Sequence, residues 1–227
     1  MRIIVFAPHP DDEIFGCGGS ILKWMDEGHD LHVIYVTDNR VLISWGRSHD
    51  VLLEEEAKGY INLDEDEIGK IALEEALQVA KSFGFPKENI HLFKFHDQDA
   101  KNRIPDGVKL AKPIIKDTNR IILPSDNNNH ADHQATHTIA KRAAEELRLQ
   151  GVEFYVYALY NILKAPKEKH LKIKIIDYRN QLYELMKGYK TQLCLKDTRI
   201  GWQLLKKKRT ERFGVFSYED MNKFENF

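Results

Sequence analysis

The chain contains 227 residues, of which 42% are hydrophobic, and its 34 basic and 35 acidic residues leave a formal net charge of −1. This length suits one well-buried domain and is short for two, and the near-neutral charge provides no basic field for nucleic acid. No apolar run approaches the roughly 20 residues of a membrane span, and the chain enters a strand at once, without room for a signal peptide. Two cysteines are too few for a disulfide framework and suit a reducing compartment. Taken together, these observations lead us to expect a cytoplasmic protein with no membrane span and no nucleic-acid partner.

Strand-like and helix-like patterns alternate along the chain. Short runs rich in β-branched and aromatic residues predict strands at 2–6, 31–37, 91–96, 120–124, 153–160 and 172–177. Helical spacing of apolar residues predicts helices after the first strand and then at 51–57, 68–83, 108–116, from residue 133 to about 150, and at 179–192. The polar segments 38–50 and 97–107 are predicted to be loops.

This alternation predicts the α/β class, with a Rossmann-like fold in which helices flank a mainly parallel sheet. No internal repeat or low-complexity linker marks a domain boundary. We therefore expect a single domain over residues 1–227, with a motif-bearing core at about 2–160 and C-terminal strands and helices at about 153–227.

A histidine and three carboxylates crowd the loop after the first strand, in the order His9, Pro10, Asp11, Asp12 and Glu13. In open α/β sheets, ligands bind at the carboxyl ends of the strands, which is where this loop should lie. The three acidic side chains would repel one another unless a positive charge lay among them, and a metal ion is the simplest candidate. The competing interpretation is an Asx-type turn and helix cap, in which carboxylates accept hydrogen bonds from free backbone N–H groups.

A second loop of similar character follows the fourth predicted strand and carries His130, Asp132 and His133. Both loops should open at the same edge of a parallel sheet, so their side chains would meet. Catalytic zinc sites commonly combine three protein N and O ligands with one open position for water. His9, Asp12 and His133 would form such a set.

Three neighbouring residues could then carry the chemistry. Asp11 is adjacent to a predicted ligand and could take a proton from a water molecule whose pKa the metal lowers toward about 7. His130 could face the carbonyl or the leaving group of a substrate. Asp132 could orient an imidazole ring, or it could cap the helix that begins near His133, and both roles remain open.

The two loops together resemble a known family. The motif His-Pro-Asp-Asp-Glu at 9–13, the glycine pair at 18–19 and the motif His-Ala-Asp-His at 130–133 are similar to those of the PIG-L (LmbE-like) zinc-dependent N-acetylglucosaminyl deacetylases. The resemblance implies a hydrolase that removes the acetyl group from an N-acetylglucosamine-type amino sugar or its glycoside. It also implies Zn²⁺, or another divalent metal such as Fe²⁺, and it allows a homo-oligomer.

The resemblance also implies a role for each motif residue of the site. The implied zinc ligands are His9, Asp12 and His133, and the implied general base is Asp11. His130 is implied as the group that stabilises the oxyanion or protonates the leaving amine, and Asp132 as the support of a histidine.

The chain departs from the family pattern where an arginine commonly contacts the sugar. Many members carry Arg-x-x-Glu on the helix before the third strand, and the matching helix here contains no arginine. Arg40, Arg47 and Lys70 are the candidate substitutes. The departure concerns the substrate and leaves the expected metal chemistry unchanged. Two alternatives to the deacetylase remain open: hydrolysis of another amide, or a non-catalytic, metal-stabilised protein that binds a sugar or nucleotide.

Two further patterns have competing interpretations. His133 and His137 are four residues apart on one helix face, a spacing that can itself bind zinc, although packing is the favoured role of His137. The basic cluster at 206–209 is predicted to be a solvated surface rather than a polyanion site, because no aromatic residues are interleaved with it.

Overall fold

The computed structural model describes residues 1–159 and 162–221. In chain order the strands are β1 Arg2–Ala7, β2 Asp30–Thr37, β3 Ile90–Phe95, β4 Arg120–Pro124, β5 Glu153–Tyr157, β6 His170–Lys174 and β7 Thr210–Ser217. The helices are α1 Asp12–Asp26, α2 Leu42–Ser48, α3 Glu54–Ala57, α4 Glu65–Phe83, α5 Ile104–Ile115, α6 Ala131–Glu146, α7 Arg179–Met186, α8 Lys196–Leu205 and α9 Tyr218–Met221. Within these described ranges, no helix combines the length and the apolarity needed to cross a bilayer.

All seven strands belong to one sheet, in the spatial order β3-β2-β1-β4-β5-β7-β6. The first five are parallel, whereas β7 runs antiparallel to both β5 and β6. This arrangement confirms the predicted α/β class with a mainly parallel sheet. The strand order reverses between β1 and β4, and in doubly wound sheets this switch point is where ligands bind.

The central strands are buried on both faces, which explains their continuous apolar sequences. Successive side chains of a strand point to opposite faces, so β1 contributes Ile3 and Val5 to one core cluster and Ile4 and Phe6 to the other. A third, smaller cluster lies outside the sheet and consists of Leu42, Ile43, Ala57, Ile68, Cys194 and Leu195. It joins α2 to residues from the far end of the chain.

Two segments predicted to be loops contain helices. Residues 38–50 include α2, because Leu42 and Ile43 gain burial against Leu195, a partner that lies far away in the sequence. Residues 97–107 include a short 3₁₀ helix at 100–103 and the first turn of α5, with proline near its N-terminus, where no backbone donor is needed. Both predictions were wrong because the local polarity concealed tertiary contacts.

The C-terminal third of the sheet also differs from the prediction. Strand β7 was not predicted, because its pattern is interrupted by Glu211, a fully buried carboxylate. Glu211 accepts hydrogen bonds from the backbone N–H groups of Gly19 and Ser20, at 3.0 and 2.7 Å, and from the Lys208 ammonium at 2.9 Å. The helix predicted at 179–192 ends earlier, at Met186, and the last residue of the strand predicted at 153–160 lies outside the described residues.

Candidate metal and catalytic site

The loops after β1 and β4 lie side by side because these two strands are neighbours in the sheet. Each loop leads directly into a helix, α1 or α6, whose first turn carries further polar side chains. A cavity of about 310 Å³ opens between them and is lined by His9, Asp11, Asp12, Asn39, Val41, Leu42, Trp45, Val51, Asp97, Gln98, Asn128, His130, His133, Gln192, Leu195, Asp197 and Thr198. Five of the six predicted site residues line it, and Asp132 lies directly behind it.

The three predicted metal ligands converge on one oxygen atom. Asp12 Oδ2 lies 3.1 Å from His9 Nδ1 and 3.4 Å from His133 Nε2, and all three residues are buried. Zinc–nitrogen and zinc–oxygen bonds are about 2.0–2.2 Å long, so two ligands of a tetrahedral ion are separated by about 3.3 Å. The spacing and the chemistry of these donors therefore fit a divalent metal ion.

Two carboxylates orient the His9 ring from its other side. His9 Nε2 lies 3.3 Å from Asp97 Oδ1 and 3.3 Å from Asp132 Oδ2. These acceptors favour the tautomer protonated at Nε2, which leaves the Nδ1 lone pair facing Asp12, as in carboxylate–histidine–metal arrangements. Burial lowers the pKa of His9, but its hydrogen bonds to the three aspartates outweigh burial and hold that pKa well above its usual value. Asp97 was not predicted as a site residue.

Asp132 does not cap α6, so the structure excludes the helix-cap interpretation of this residue. The N-cap is His130, whose Nδ1 accepts a hydrogen bond from the Asp132 backbone N–H at 3.3 Å. The Asp132 carboxylate instead accepts hydrogen bonds from the backbone N–H groups of Gln98 at 2.6 Å and Ala100 at 3.1 Å. Burial raises its pKa, but the hydrogen bond with His9 and the other contacts outweigh this and lower the pKa to about 2.

Asp11 lies in the tight turn between β1 and α1. Its φ of 100° falls in the left-handed region that residues other than glycine rarely adopt. Such strain persists at functional sites when the surrounding structure supports it. The residue is 6% exposed, and the pKa of its carboxyl is raised well above the usual value, first by burial and then by the charges of Asp12 and Glu13.

A buried chain of hydrogen bonds supports this turn from below. The Asp11 backbone N–H donates to Glu13 Oε2 at 3.2 Å, and the Tyr189 hydroxyl donates to Glu13 Oε1 at 2.6 Å. The Tyr35 and Tyr189 hydroxyls are 3.1 Å apart, and all three side chains of this chain are fully buried. Burial raises the pKa of Glu13 to about 7, although the Tyr189 hydrogen bond opposes the shift. The motif at 9–13 predicts no role for Glu13, and no local signal links it to Tyr189.

His130 lies at the mouth of the cavity, where its ring centroid is 4.7 Å from that of His9. Because its Nδ1 accepts the Asp132 backbone N–H, the neutral ring carries its proton on Nε2 and can donate a hydrogen bond. Burial and then the neighbouring His9 lower the pKa of His130, which favours the neutral form. Burial likewise lowers the pKa of His133 to about 4.

The candidate substitutes for the missing arginine lie outside the cavity. Two guanidinium N–H groups of Arg40 donate to the same oxygen of Asp38, Oδ2, at 2.8 and 2.7 Å, and Arg40 also contacts Asp66. Arg47 donates to the Ile61 carbonyl at 2.6 Å. Neither arginine lines the cavity, nor does the exposed Lys70.

The sequence left open whether His137 is a metal ligand or a packing residue. Its Nδ1 lies 2.8 Å from the Pro124 carbonyl oxygen, and its side chain is buried beneath β4. The groups of His, Cys, Asp and Glu that could share an ion, among the residues described, do not include it. The structure therefore favours packing for His137.

The outer walls of the cavity come from segments to which the sequence assigned no site residue. On one side, α2 and the residues next to it supply Val41, Leu42 and Trp45. On the other, the chain before and within α8 supplies Gln192, Leu195, Asp197 and Thr198. The two walls meet through Leu42 and Leu195 of the third core cluster, which lie far apart in the sequence.

Comparison with known proteins identifies related sequences and folds. Residues 4–144 match the family described as PIG-L: GlcNAc-PI de-N-acetylase. A putative glucosamine-6-phosphate deaminase-like protein of Bacteroides thetaiotaomicron is 33% identical over 42 residues, which is 18% of this chain. That match spans only 6% of the length of the curated relative.

Two solved structures have the same fold. N,N'-diacetylchitobiose deacetylase from Pyrococcus horikoshii, complexed with its inhibitor MPG, has a TM-score of 0.72 at 17% identity, over 97% of this chain and 85% of that chain. The zinc-inhibited form of teicoplanin deacetylase Orf2 has a TM-score of 0.69 at 13% identity, over 97% of this chain and 100% of that chain. At such low identity, these likenesses show the fold alone.

Proposed function

The chain belongs to the PIG-L family of GlcNAc-PI de-N-acetylases, and from this premise we propose that it is a metal-dependent hydrolase that removes acetyl from an N-acetylglucosamine-type amino sugar or its glycoside. The observation that carries the proposal is the convergence of His9 Nδ1, Asp12 Oδ2 and His133 Nε2 within a cavity that also presents Asp11 and His130. A site that only bound a ligand would not require the strained Asp11 beside the ligand Asp12.

We propose that the ion is zinc, with Fe²⁺ as the alternative, held by His9, Asp12 and His133. Two imidazoles and one carboxylate suit either metal. When bound, such an ion supplies Lewis-acid polarisation of the substrate carbonyl and activates a water molecule. Asp97 and Asp132 keep the proton of His9 on Nε2 and so hold its Nδ1 ready for the ion.

In this proposal, Asp11 acts as the general base. Its carboxyl lines the cavity next to the ligand Asp12 without sharing the ligand oxygen, so it is free to accept a proton from water. As the oxygen of water bonds to the carbonyl carbon, the proton passes to Asp11. When the C–N bond breaks, the same proton can pass to the leaving amine, which balances the reaction to acetate and a free amino sugar.

We propose that His130 stabilises the oxyanion that forms on the substrate carbonyl. Its neutral ring carries an Nε2–H donor, and the geometry of its Nδ1 hydrogen bond fixes that tautomer. A donor that is already oriented toward the position where negative charge develops stabilises the transition state at little reorganisation cost. Asp132 then has a positioning role, because it contacts both His9 and, through its backbone N–H, His130.

We also propose that residues 1–227 act as one catalytic domain. The family match ends at residue 144, but β5, β6 and β7 complete the same sheet and the segment around α8 supplies one wall of the cavity. A C-terminal part that builds the active-site wall is not expected to be separable from the core.

The decisive experiment measures acetate release from N-acetylglucosamine, its di- and trisaccharides and an inositol-linked glycoside. Metal-stripped protein is compared with protein reloaded with one equivalent of Zn²⁺ or Fe²⁺. Metal-restored release from one of these compounds supports the proposal. Stoichiometric metal without release from any of them would contradict it and favour either another amide or a non-catalytic binding protein.

Two variants separate the base from the ligands. Asp11→Asn should retain the metal and lower kcat by about 10²–10⁴-fold, the usual contribution of a general base. His133→Ala should lose the metal, measured as bound metal per chain. His137→Gln, one turn further along the same helix, is the matched control and should keep it. Normal turnover by Asp11→Asn would refute the assignment of the base.

A further inference from the structure

The cavity wall is acidic and contains no lysine or arginine among the residues the structure describes. Four carboxylates line it, those of Asp11, Asp12, Asp97 and Asp197. Of these four, only Asp12 is a predicted ligand of a bound divalent cation. The cationic side chains that could have met an anionic group in this cavity, Arg40 and Arg47, are held by other partners.

Two lysines of the basic cluster at 206–209 lie on the other side of Asp197. A neighbouring depression shares only this residue with the cavity and includes Lys207 and Lys208 in its lining. The Lys208 ammonium already donates to the Phe15 carbonyl at 2.7 Å and to Glu211 at 2.9 Å. Asp197 therefore separates the cavity from the basic cluster instead of being neutralised by it.

Asp197 is itself free to act on a ligand. It lies in the first turn of α8, its side chain is exposed, and within the described parts of the chain it forms no hydrogen bond or ion pair. Trp45, which also lines the cavity, is 39% exposed. A partly exposed aromatic ring and an unpaired carboxylate in the same cavity suit a neutral or amine-bearing sugar, whose apolar ring face and polar groups would both be matched.

We propose that Asp197 makes this cavity select N-acetylated sugars that are uncharged or carry an amine, and exclude sugars that carry a phosphate or carboxylate. This inference rests on the proposed deacetylase function and deepens it by naming the substrate class. An anionic group near an unpaired carboxylate experiences like-charge repulsion, and specificity is commonly built from such unfavourable contacts. The repulsion acts on binding, so it should appear mainly in KM.

The test compares N-acetylglucosamine with N-acetylglucosamine 6-phosphate in the metal-loaded protein. We expect kcat/KM to favour the neutral sugar by at least about tenfold, which corresponds to about 1.4 kcal/mol. Asp197→Lys should reduce this preference by about tenfold through the KM of the phosphorylated sugar, and Asp197→Asn by a smaller factor. Glu54→Lys is the matched control, because Glu54 is an exposed carboxylate in the first turn of α3 that does not line the cavity, and it should leave the preference unchanged.

Equilibrium binding of the two products, glucosamine and glucosamine 6-phosphate, gives a readout that does not depend on turnover. If no sugar is hydrolysed but glucosamine binds better and Asp197→Lys removes the difference, the proposed function fails and the charge selection stands. Raising the salt concentration from about 0.05 to about 0.5 M should also reduce the preference of the unmodified protein for the neutral sugar. The reason is that the Debye length falls below about 10 Å, so that salt screens the repulsion between Asp197 and the phosphate. Equal use and binding of the phosphorylated sugar, or a preference unaltered by both Asp197 substitutions and by salt, would overturn the inference.

Discussion

Replacing Tyr189 with phenylalanine removes one hydroxyl from the buried chain of hydrogen bonds below Asp11 and preserves the aromatic ring. The hydroxyl donates to the Glu13 carboxylate at 2.6 Å and lies 3.1 Å from the Tyr35 hydroxyl. A hydrogen bond to a charged group contributes about 1.5–3 kcal/mol and a neutral one about 1 kcal/mol. We therefore expect Tyr189→Phe to lower the free energy of unfolding by about 2.5–4 kcal/mol.

The same substitution should also slow catalysis, because Glu13 holds the Asp11 backbone N–H on its second oxygen, at 3.2 Å. Holding a non-glycine residue at a φ of 100° costs about 1–3 kcal/mol, which the surrounding contacts must offset. If half of this support is lost, about 0.5–1.5 kcal/mol, kcat falls by about 2- to 13-fold. Metal content should be unchanged, since Tyr189 does not contact the three predicted ligands.

Tyr157→Phe is the matched control for this prediction. Its hydroxyl is as buried as that of Tyr189 but donates to a neutral acceptor, the Phe6 carbonyl at 2.8 Å. Urea unfolding of both variants should give a loss of only about 1 kcal/mol for Tyr157→Phe, and acetate release should give an almost normal kcat. Equal losses of stability and of kcat in the two variants would show that the Glu13 chain has no special role.

Two further predictions test other parts of the chain. Burial lowers the pKa of the His91 imidazole to about 4, so the folded state disfavours protonation of this ring, and the free energy of unfolding should fall as the pH drops from about 6.5 toward 4. His91→Phe should therefore make the free energy of unfolding of the metal-free protein less dependent on pH in this range. An identical pH slope in the variant and the unmodified protein would refute this assignment. Gly19→Ala should lower the free energy of unfolding in urea by about 1–3 kcal/mol, because the new Cβ would lie 2.6 Å from Ile175 Cβ. The control Gly59→Ala should lower it far less, because no atom lies within 4 Å of that Cβ position. Equal effects of the two substitutions would contradict the close packing of α1.

The central residues of the site could be predicted from the local sequence, because they follow two buried strands. Each strand has a continuous apolar pattern, and polar residues begin where it ends, so the position of the loop in the fold follows from the pattern. The structure brings His9, Asp12 and His133 within one ligand group, as those two loops suggested. Their roles as ligands, and those of Asp11, His130 and Asp132 in catalysis, stay predictions until the variants are measured.

Residues that act through distant partners could not be predicted in this way. Asp97 follows β3, a strand two positions from β1 in the sheet, and its polar surroundings are typical of any loop. Strand β7 was missed because Glu211 breaks its alternation. Most of the hydrogen bonds to that carboxylate come from Gly19 and Ser20 of α1, about 190 residues earlier in the chain.

The sequence alone determined the class of fold, the strand ends at which the site lies and the donor types that could hold a metal, because these depend on periodicity and on neighbouring residues. Tertiary structure alone decided which side chains complete the site. The support of Asp11 by Glu13 and Tyr189, and the acidic wall that ends at Asp197, join segments more than 170 residues apart. Such contacts depend on how helices pack against the sheet, and no local pattern encodes that packing.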